Sequence, residues 1–286
     1  MRMISPTGRA APLALDEAAA WDAVRAVRHG AAIPAALENH PLCRMLLPVA
    51  RPDPLVFAQL GQSLDGRIAT LGGGSALING PCGLDHLHRL RALADAVLVG
   101  VGTVCADDCQ LTVRRVAGPS PARVVIDPRG RIPVQARALG DDGGRRIVIR
   151  AEGAPNCGEP GVETVHLRSR GGLIAPADVI AALARRGLRR VLIEGGAATV
   201  SAFMSAGALD RLHVVVAPLI VGSGQAGLSL PPICDLDRAA RPVTIIHPLA
   251  DGDVLFDCDM RATAASRSGG GQDERDASPG RLFADG

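Results

Sequence analysis

The sequence contains no lysine and no tyrosine, so all 31 residues counted as lysine plus arginine are arginines. Without lysine the protein has no Schiff-base amine, no anchor for pyridoxal phosphate and no Walker-type phosphate loop. Without tyrosine it has no phenolic acid or base. Genomic base composition by itself can produce such an arginine bias, but the excluded chemistry is the same whatever the cause.

Aromatic residues, net charge and long apolar runs are also scarce. Aromatics make up 2% of the chain and the formal net charge is +2, whereas nucleic-acid binders present a basic face and often stacking rings. No run approaches the roughly 18 apolar residues that a membrane helix needs. The seven cysteines are odd in number and include no C-x-x-C pair, which is atypical of a disulfide framework. We therefore expect a cytoplasmic protein that binds neither nucleic acid nor membrane.

Composition divides the chain into three parts. Residues 1–50 are rich in alanine, and the spacing of Trp21, Val24 and Val27 predicts a helix over 16–29 within a helical extension. Residues 51–262 form the predicted main domain. Residues 263–286 are mostly Ser, Gly, Asp and Arg, a composition that is typical of a disordered tail.

The main domain alternates short apolar runs with helical patterns. Predicted strands lie at 55–60, 96–101, 123–127, 146–150, 162–167 and 190–194, and predicted helices at 84–94, 175–186 and 197–206. Such alternation favours a parallel sheet covered on both faces. The later runs at 211–218, 243–248 and 253–260 lack intervening helices, and Asp251-Gly252 is a hairpin signal. We predict a three-layer α/β fold, with a mostly parallel central sheet, antiparallel C-terminal strands and helices on both faces.

Two glycine-rich segments directly follow predicted strands, where open α/β sheets bind their ligands. Gly100-Val101-Gly102-Thr103 is a weak signal alone, because a tight turn without a ligand explains it equally well. Glu194-Gly195-Gly196 opens a predicted helix whose first amides could bind a phosphate. Glu194 ends a buried strand, where a carboxylate is costly unless it is paired or used. A plain helix cap with a solvated glutamate remains the alternative.

Seven motifs in order carry a family resemblance. They are S-L-D-G-R-I-A (63–69), G-x-S (73–75), L-R-A-x-x-D-A-x-L-V-G-x-G-T-V-x-A-D-D (90–108), L-T-V-R (111–114), V-V-I-D (124–127), L-I-E-G-G (192–196) and A-P-x-x-x-G (217–222). Across residues 52–260 the chain resembles the riboflavin-pathway reductases, the reductase half of the bacterial bifunctional deaminase–reductase, which have a dihydrofolate reductase-like fold. The resemblance implies NADPH-dependent reduction of 5-amino-6-(5-phosphoribosylamino)uracil to the ribitylamino compound, with hydride reaching the sugar C1 in its ring-opened imine form.

The resemblance also implies the roles of individual residues. The implied substrate ligands are Ser75, Arg91, Leu111, Arg114 and Glu194. The implied cofactor ligands are Thr103, Asp107, Gly195, Gly196, Ala197, Ala198, Thr199, Val200 and Ser201, with Arg129 as a hypothetical partner of the 2′-phosphate. The implied catalytic group is Glu194, Asp65 and Gln59.

The chain departs from the family pattern in two ways. Gln59 stands where family members commonly carry a lysine, and glutamine offers neither a positive charge nor a transferable proton. The zinc deaminase signature of H-x-E with P-C-x-x-C is absent, so we expect deamination to come from a separate polypeptide. His86 and His88 have no companion cluster and predict no metal site.

Two other functions remain open from the sequence. One is a related reductase of pterins or other heterocycles, and the other is a non-catalytic NADP-binding paralogue in which Gln59 marks lost chemistry. The resemblance implies a homodimer, for which the exposed C-terminal strands offer a pairing edge.

Overall fold

A twisted sheet forms the centre of the computed structural model, which describes residues 16–51, 54–72 and 78–261. The strands are β1 (Leu55–Ser63), β2 (Arg67–Thr70), β3 (Ala96–Gly100), β4 (Ala122–Ile126), β5 (Arg146–Ala151), β6 (Val162–Leu167), β7 (Ser169–Arg170), β8 (Leu173–Ile174), β9 (Arg190–Glu194), β10 (Arg211–Ala217), β11 (Gly224–Ala226), β12 (Val243–Pro248) and β13 (Val254–Asp259). The α-helices are α1 (Glu17–Arg28), α2 (Pro41–Ala50), α3 (Pro81–Leu93), α4 (Val101–Asp107), α5 (Pro176–Ala184) and α6 (Ala197–Ser205).

Nine of the described strands form the central sheet in the order β12-β13-β10-β1-β9-β3-β4-β5-β6. The pairs from β10 through β1, β9, β3, β4 and β5 to β6 are all parallel, whereas β13 pairs antiparallel with both β10 and β12. The predicted fold class is confirmed, including the hairpin at Asp251-Gly252, where Gly252 has a φ of +96°. Two small two-stranded ribbons, β2–β11 and β7–β8, accompany this sheet.

The strands alternate their side chains between two apolar layers. In β9, Leu192 enters the layer formed with α1 to α4, while Val191 and Ile193 enter the layer formed with α5 and α6. Both faces are therefore covered, as near-continuous apolar strands require. The odd-numbered residues of β1 and the even-numbered residues of β9 point to the same side of the sheet, toward α1 to α4. This side is called the first face.

Residues 17–50 pack directly onto the first face. Asp16 caps the amino end of α1, and its carboxylate accepts a hydrogen bond from the Ala18 amide. The indole N–H of Trp21 donates to the Ala117 carbonyl at 2.8 Å, and Arg28 forms an ion pair with Asp95. These helices are thus part of the core that supports α3. The predicted tail at 263–286 lies outside the described residues.

His88 lies buried on α3 and gives a pH-dependent prediction. Its Nδ1 accepts a hydrogen bond from the Arg114 amide at 3.0 Å, and burial, followed by the charges of Arg91 and Arg114, lowers the pKa of His88 to about 4. The unfolded chain takes up this proton near pH 6.5 but the folded protein does not, so stability is lost as pH falls from about 6.5 to 4.

We expect His88→Asn to flatten this dependence by about 1.4 kcal/mol per pH unit between pH 6 and 5. Urea unfolding at a series of pH values measures the slope. His29→Asn, at the exposed end of α1, is the matched control. A slope that does not change in His88→Asn would contradict the prediction.

Candidate active site

The two glycine-rich segments meet because β3 and β9 are neighbours in the sheet. Gly195 and Gly196 have φ values of +65° and +66°, and a Cβ on Gly196 would lie 2.7 Å from Thr103 Oγ1. Likewise, a Cβ on Gly100 of the other turn would lie 2.6 Å from Thr199 Oγ1. Only glycine allows this backbone conformation and this close approach. The turns after β3 and β9 are therefore interlocked through Thr103 and Thr199.

The amino end of α6 opens at this junction without a side-chain cap. The amides of Thr199 and Val200 both donate to the Gly196 carbonyl, at 3.0 and 3.3 Å. Within the part of the chain that the structure describes, the amides of Ala197 and Ala198 have no protein acceptor. Free amides at the positive end of a helix dipole suit an anion such as a pyrophosphate.

Val200 and Ser201 turn away from this end of the helix. Val200 is fully buried in the core, and the hydroxyl of Ser201 accepts a hydrogen bond from the Ser229 amide at 2.8 Å. Their side chains are committed to packing, so they do not face the ligand position implied by the family resemblance. Within the predicted cofactor stretch, the geometry favours Gly195 to Thr199.

Glu194 ends β9 beside the same junction and is almost completely buried. Arg91 of α3 donates from Nε to Glu194 Oε1 at 2.7 Å and from Nη2 to Oε2 at 2.6 Å. Its Nη1 donates to the Thr112 carbonyl at 2.9 Å. Burial would lower the pKa of Arg91, but the Glu194 carboxylate outweighs it and raises that pKa. The structure thus gives Arg91 a partner that the sequence did not reveal, and its implied role as a substrate ligand stays a prediction.

Thr112 connects Arg91 to the exposed Arg114. Arg114 Nη1 lies 3.3 Å from Thr112 Oγ1, so both guanidinium groups approach Thr112. Leu111 precedes Thr112 with a φ of +60°, and the whole residue is 1% exposed. Its implied contact with the substrate stays a prediction. Three of the implied substrate ligands come together here with Glu194, while Ser75 lies outside the described residues.

Cys109 lies close to Glu194 and was not singled out from the sequence. Burial, together with the nearby charges of Glu194 and Asp107, raises the pKa of the Cys109 thiol to about 12. The thiol is therefore neutral near pH 7 and is unsuited to nucleophilic chemistry.

Gln59 lies on β1 between the two strands that flank it. It is in register with Glu194 of β9 and with His213 of β10, so the three side chains leave the sheet on the same face. Gln59 is 7% exposed, and its Oε1 has no hydrogen-bond partner among the described residues. Buried acceptors are nearly always paired, so a donor from a ligand or from water would complete the site here.

Asp65 fixes loops beside the site. Its carboxylate accepts from the Ser63 hydroxyl at 2.5 Å and from the amides of Val221 and Gly222 at 3.1 and 2.7 Å. The Ser63 hydrogen bond and these amides lower the pKa of Asp65 to about 2. These hydrogen bonds show that Asp65 positions the backbone at Val221 and Gly222. The catalytic role that the resemblance implies for Asp65 stays a prediction.

Arg129 lies on a loop that Asp127 holds in place. Asp127 is fully buried, accepts from the amides of residues 130 to 132, and pairs with Arg150 Nη1 at 2.9 Å. Arg129 itself is exposed, and its guanidinium lies against Gly172 in the turn between β7 and β8. Asp107 is exposed at the end of α4. The roles of Arg129 and Asp107 stay predictions.

The two histidines on α3 are packing residues. His86 Nε2 lies 2.9 Å from His213 Nδ1 with the rings stacked. The described residues contain no group of three or more His, Cys, Asp or Glu side chains placed to hold a metal ion. Nor does this part of the chain contain a helix that is long and apolar enough to cross a bilayer.

Comparison with known proteins decides the family. The family model for the RibD C-terminal domain matches residues 54–235. The chain belongs to this family. The RibD C-terminal domain match therefore confirms the resemblance found in the motifs, and it includes both glycine-rich segments, Glu194 and Arg91.

Relatives of the family fall into two groups. The chain is 34% identical to a protein of Methanothermobacter thermautotrophicus named 2,5-diamino-6-ribosylamino-4(3H)-pyrimidinone 5′-phosphate reductase, over 60% of this chain and 82% of that protein. It is 35% identical to riboflavin biosynthesis protein RibD of Mycobacterium tuberculosis, over 66% of this chain and 49% of that protein. The structure of Acinetobacter baumannii RibD matches with a TM-score of 0.61 and 28% identity, over 76% of this chain and 61% of that chain. The chain thus spans about half the length of the RibD proteins it matches.

Proposed function

We propose that the protein is an NADPH-dependent reductase of a phosphoribosylamino-pyrimidine in riboflavin biosynthesis. The observation that carries the proposal is the buried Glu194–Arg91 pair directly beside the open amino end of α6. The carboxylate that would act on the substrate, Glu194, is therefore followed directly in the chain by the helix end that would bind an anionic cofactor. The names of the relatives in both groups agree with this activity.

The residues at the β3–β9 junction fit a dinucleotide. The free amides of Ala197 and Ala198 would bind its pyrophosphate, and Gly195 and Gly196 allow that group to approach the backbone. Thr103 stands against the same two glycines and would contact the cofactor from α4. When bound, NADPH supplies the hydride for the sugar C1 of the ring-opened imine.

The Glu194 side of the site would hold the substrate. Arg114 is exposed with one long hydrogen bond, so its guanidinium is free to bind the substrate phosphate. Glu194 is buried and oriented by Arg91, and its carboxylate would accept a hydrogen bond from the protonated imine nitrogen before reduction. The unpaired Oε1 of Gln59 would accept a hydrogen bond from the substrate.

The two groups of names differ in one substituent of the substrate. The Methanothermobacter protein is named for a diaminopyrimidinone phosphate, whereas a Thermotoga maritima protein of known structure is named as a deaminase and 5-amino-6-(5-phosphoribosylamino)uracil reductase. We propose the uracil compound as the substrate here, with a separate deaminase polypeptide that supplies it. We further propose a cytoplasmic homodimer, for which the exposed Val243, Ile245 and Ile246 of edge strand β12 offer a pairing surface.

The test is an absorbance assay with NADPH and four candidate substrates: the uracil compound, the diaminopyrimidinone compound, a dihydropterin and dihydrofolate. We expect turnover with the uracil compound. Turnover only with the diamino compound would keep the activity and correct the substrate. Turnover only with a pterin or folate would support the second function. NADPH binding without turnover on any of the four would support a non-catalytic paralogue and overturn the proposal.

A further inference from the structure

Asn79 lies just before α3, and its side chain packs directly on the backbone of β1. A Cβ on Gly61 would lie 1.8 Å from Asn79 Oδ1 and 3.0 Å from Asn79 Cγ. The φ of Gly61 is not positive, so glycine is needed here for the space that Asn79 occupies and not for the backbone conformation. One methyl group on β1 would therefore displace this amide oxygen.

Hydrogen bonds of the amide nitrogen fix the orientation of the Asn79 side chain. Asn79 Nδ2 donates to the Val215 carbonyl and to Asp253 Oδ2, both at 3.1 Å, and these acceptors use both of its hydrogens. Asp253 is buried and also accepts from the Gly80 amide at 2.9 Å, so it holds the neighbouring backbone as well. Oδ1 is thus the atom that faces β1, and among the described residues no group donates to it.

Gly61 lies where the candidate active site opens. Side chains alternate along β1, so position 61 shares the first face with Gln59, about 7 Å further back along the strand. Gln59 is in register with Glu194, the last residue of β9. Gly61 therefore lies beyond the end of β9, at the carboxyl edge of the sheet, where open α/β sheets bind their ligands. Asn79 Oδ1 follows Glu194 and Gln59 along this edge.

The oxygens along this edge form a row of hydrogen-bond acceptors. Glu194 contributes a carboxylate, Gln59 contributes an Oε1 without a partner among the described residues, and Asn79 contributes its Oδ1. Asn79 is partly exposed, so a ligand can reach it. Acceptors in a row suit a ligand with several N–H groups, such as an aminopyrimidine, whereas a phosphate suits the guanidinium of Arg114.

We infer that Asn79 is a substrate-binding residue whose Oδ1 accepts a hydrogen bond from an N–H of the pyrimidine ring. Asp253 is a positioning residue, because it holds the amide nitrogen and so turns the oxygen toward β1. The inference rests on the proposed function. It adds recognition of the ring to the binding of the phosphate and of the imine nitrogen.

Two substitutions test this oxygen from both sides of the contact. Asn79→Ala removes it, and Gly61→Ala places a methyl group where it lies. We expect either change to raise the KM for the substrate about 5- to 20-fold with kcat and the Kd for NADPH unchanged, because the ring loses an acceptor. In the double variant Gly61→Ala should add nothing, because the oxygen that it displaces is already absent. Asn156→Ala, on the exposed loop between β5 and β6, is the matched control.

Two fragments of the substrate separate recognition of the ring from general damage to the site. Calorimetric titration with 5,6-diaminouracil measures binding of the ring, and titration with ribose 5-phosphate measures binding of the sugar phosphate. We expect Asn79→Ala and Gly61→Ala to weaken 5,6-diaminouracil by the same factor by which they raise KM, and to leave ribose 5-phosphate unchanged. Urea unfolding of each variant gives the folded fraction to which the titrations refer.

Three results would overturn the inference, and a fourth concerns the proposed function alone. Unchanged KM and unchanged binding of 5,6-diaminouracil in both variants would keep the proposed reductase and exclude this contact. Equal weakening of the two fragments would mean that Asn79 only maintains the shape of the site. Effects on KM that multiply in the double variant would mean that Gly61→Ala does not act through Asn79. If the unsubstituted protein binds 5,6-diaminouracil as expected but reduces none of the four candidate substrates, the contact stands and the proposed function fails.

Discussion

Glu194→Gln is expected to lower kcat about 100- to 1,000-fold, because the carboxylate would no longer stabilise positive charge on the imine nitrogen. The effect should be large because each carboxylate oxygen keeps a lone pair for the imine N–H beside its bond from Arg91, and hydrogen bonds are stronger in a buried site than in water. The shape of the side chain is kept and its amide oxygen still accepts one hydrogen bond from Arg91, whereas its NH2 faces the other Arg91 donor. Steady-state assays with saturating NADPH measure kcat and KM separately.

The same substitution removes the counter-charge of a buried arginine. Removing one partner of a buried ion pair commonly costs about 3–5 kcal/mol of unfolding free energy, so urea unfolding must be measured beside turnover. Glu38→Gln changes an exposed carboxylate outside the site and is the control for charge alone. Full turnover in Glu194→Gln would exclude it from the reaction. A loss of turnover that only follows the unfolded fraction would make its role structural.

Much of the fold could be predicted because its signals are local. The strands from β3 to β6 and β9 are short apolar runs, and the β12–β13 hairpin has Asp251-Gly252 at its turn. α2 was not predicted, because Pro48 lies inside it, although the apolar residues from Leu42 to Val49 follow helical spacing. Packing against α1 and α3 stabilises the helix around this proline.

The part of the candidate site that depends only on the order of the strands could be predicted from the sequence. Glycine-rich turns at the ends of neighbouring parallel strands must meet, and they do. The partner of Glu194 was not predictable, because Arg91 lies on a helix 103 residues earlier in the chain. The row formed by Glu194, Gln59 and His213 depends on the register of three strands, which no local pattern encodes.

That row continues one strand further, and Asp257→Asn is expected to destabilise the protein by about 3–5 kcal/mol. Asp257 of β13 is in register with His213, is fully buried, and accepts from Arg211 Nη2 at 2.7 Å. Burial would raise the pKa of Asp257, but contacts from His213 and Arg211 outweigh it and hold the pKa below its usual range. Without the carboxylate, Arg211 is left charged and buried. Urea unfolding at pH 7 measures the loss.

Asp259→Asn is the matched control, because Asp259 lies two residues away on the same strand and is partly exposed. It pairs with Arg261 at the surface at 2.7 Å and lies 3.8 Å from Arg211, and exposed pairs contribute about 0–1 kcal/mol. Both variants lose one negative charge. The difference between their free energies of unfolding therefore measures the effect of burial. Equal destabilisation by both substitutions would contradict the prediction. If Asp257→Asn also left kcat unchanged in the folded fraction, the polar row would contribute to stability at its β13 end and to the reaction only at Gln59 and Glu194.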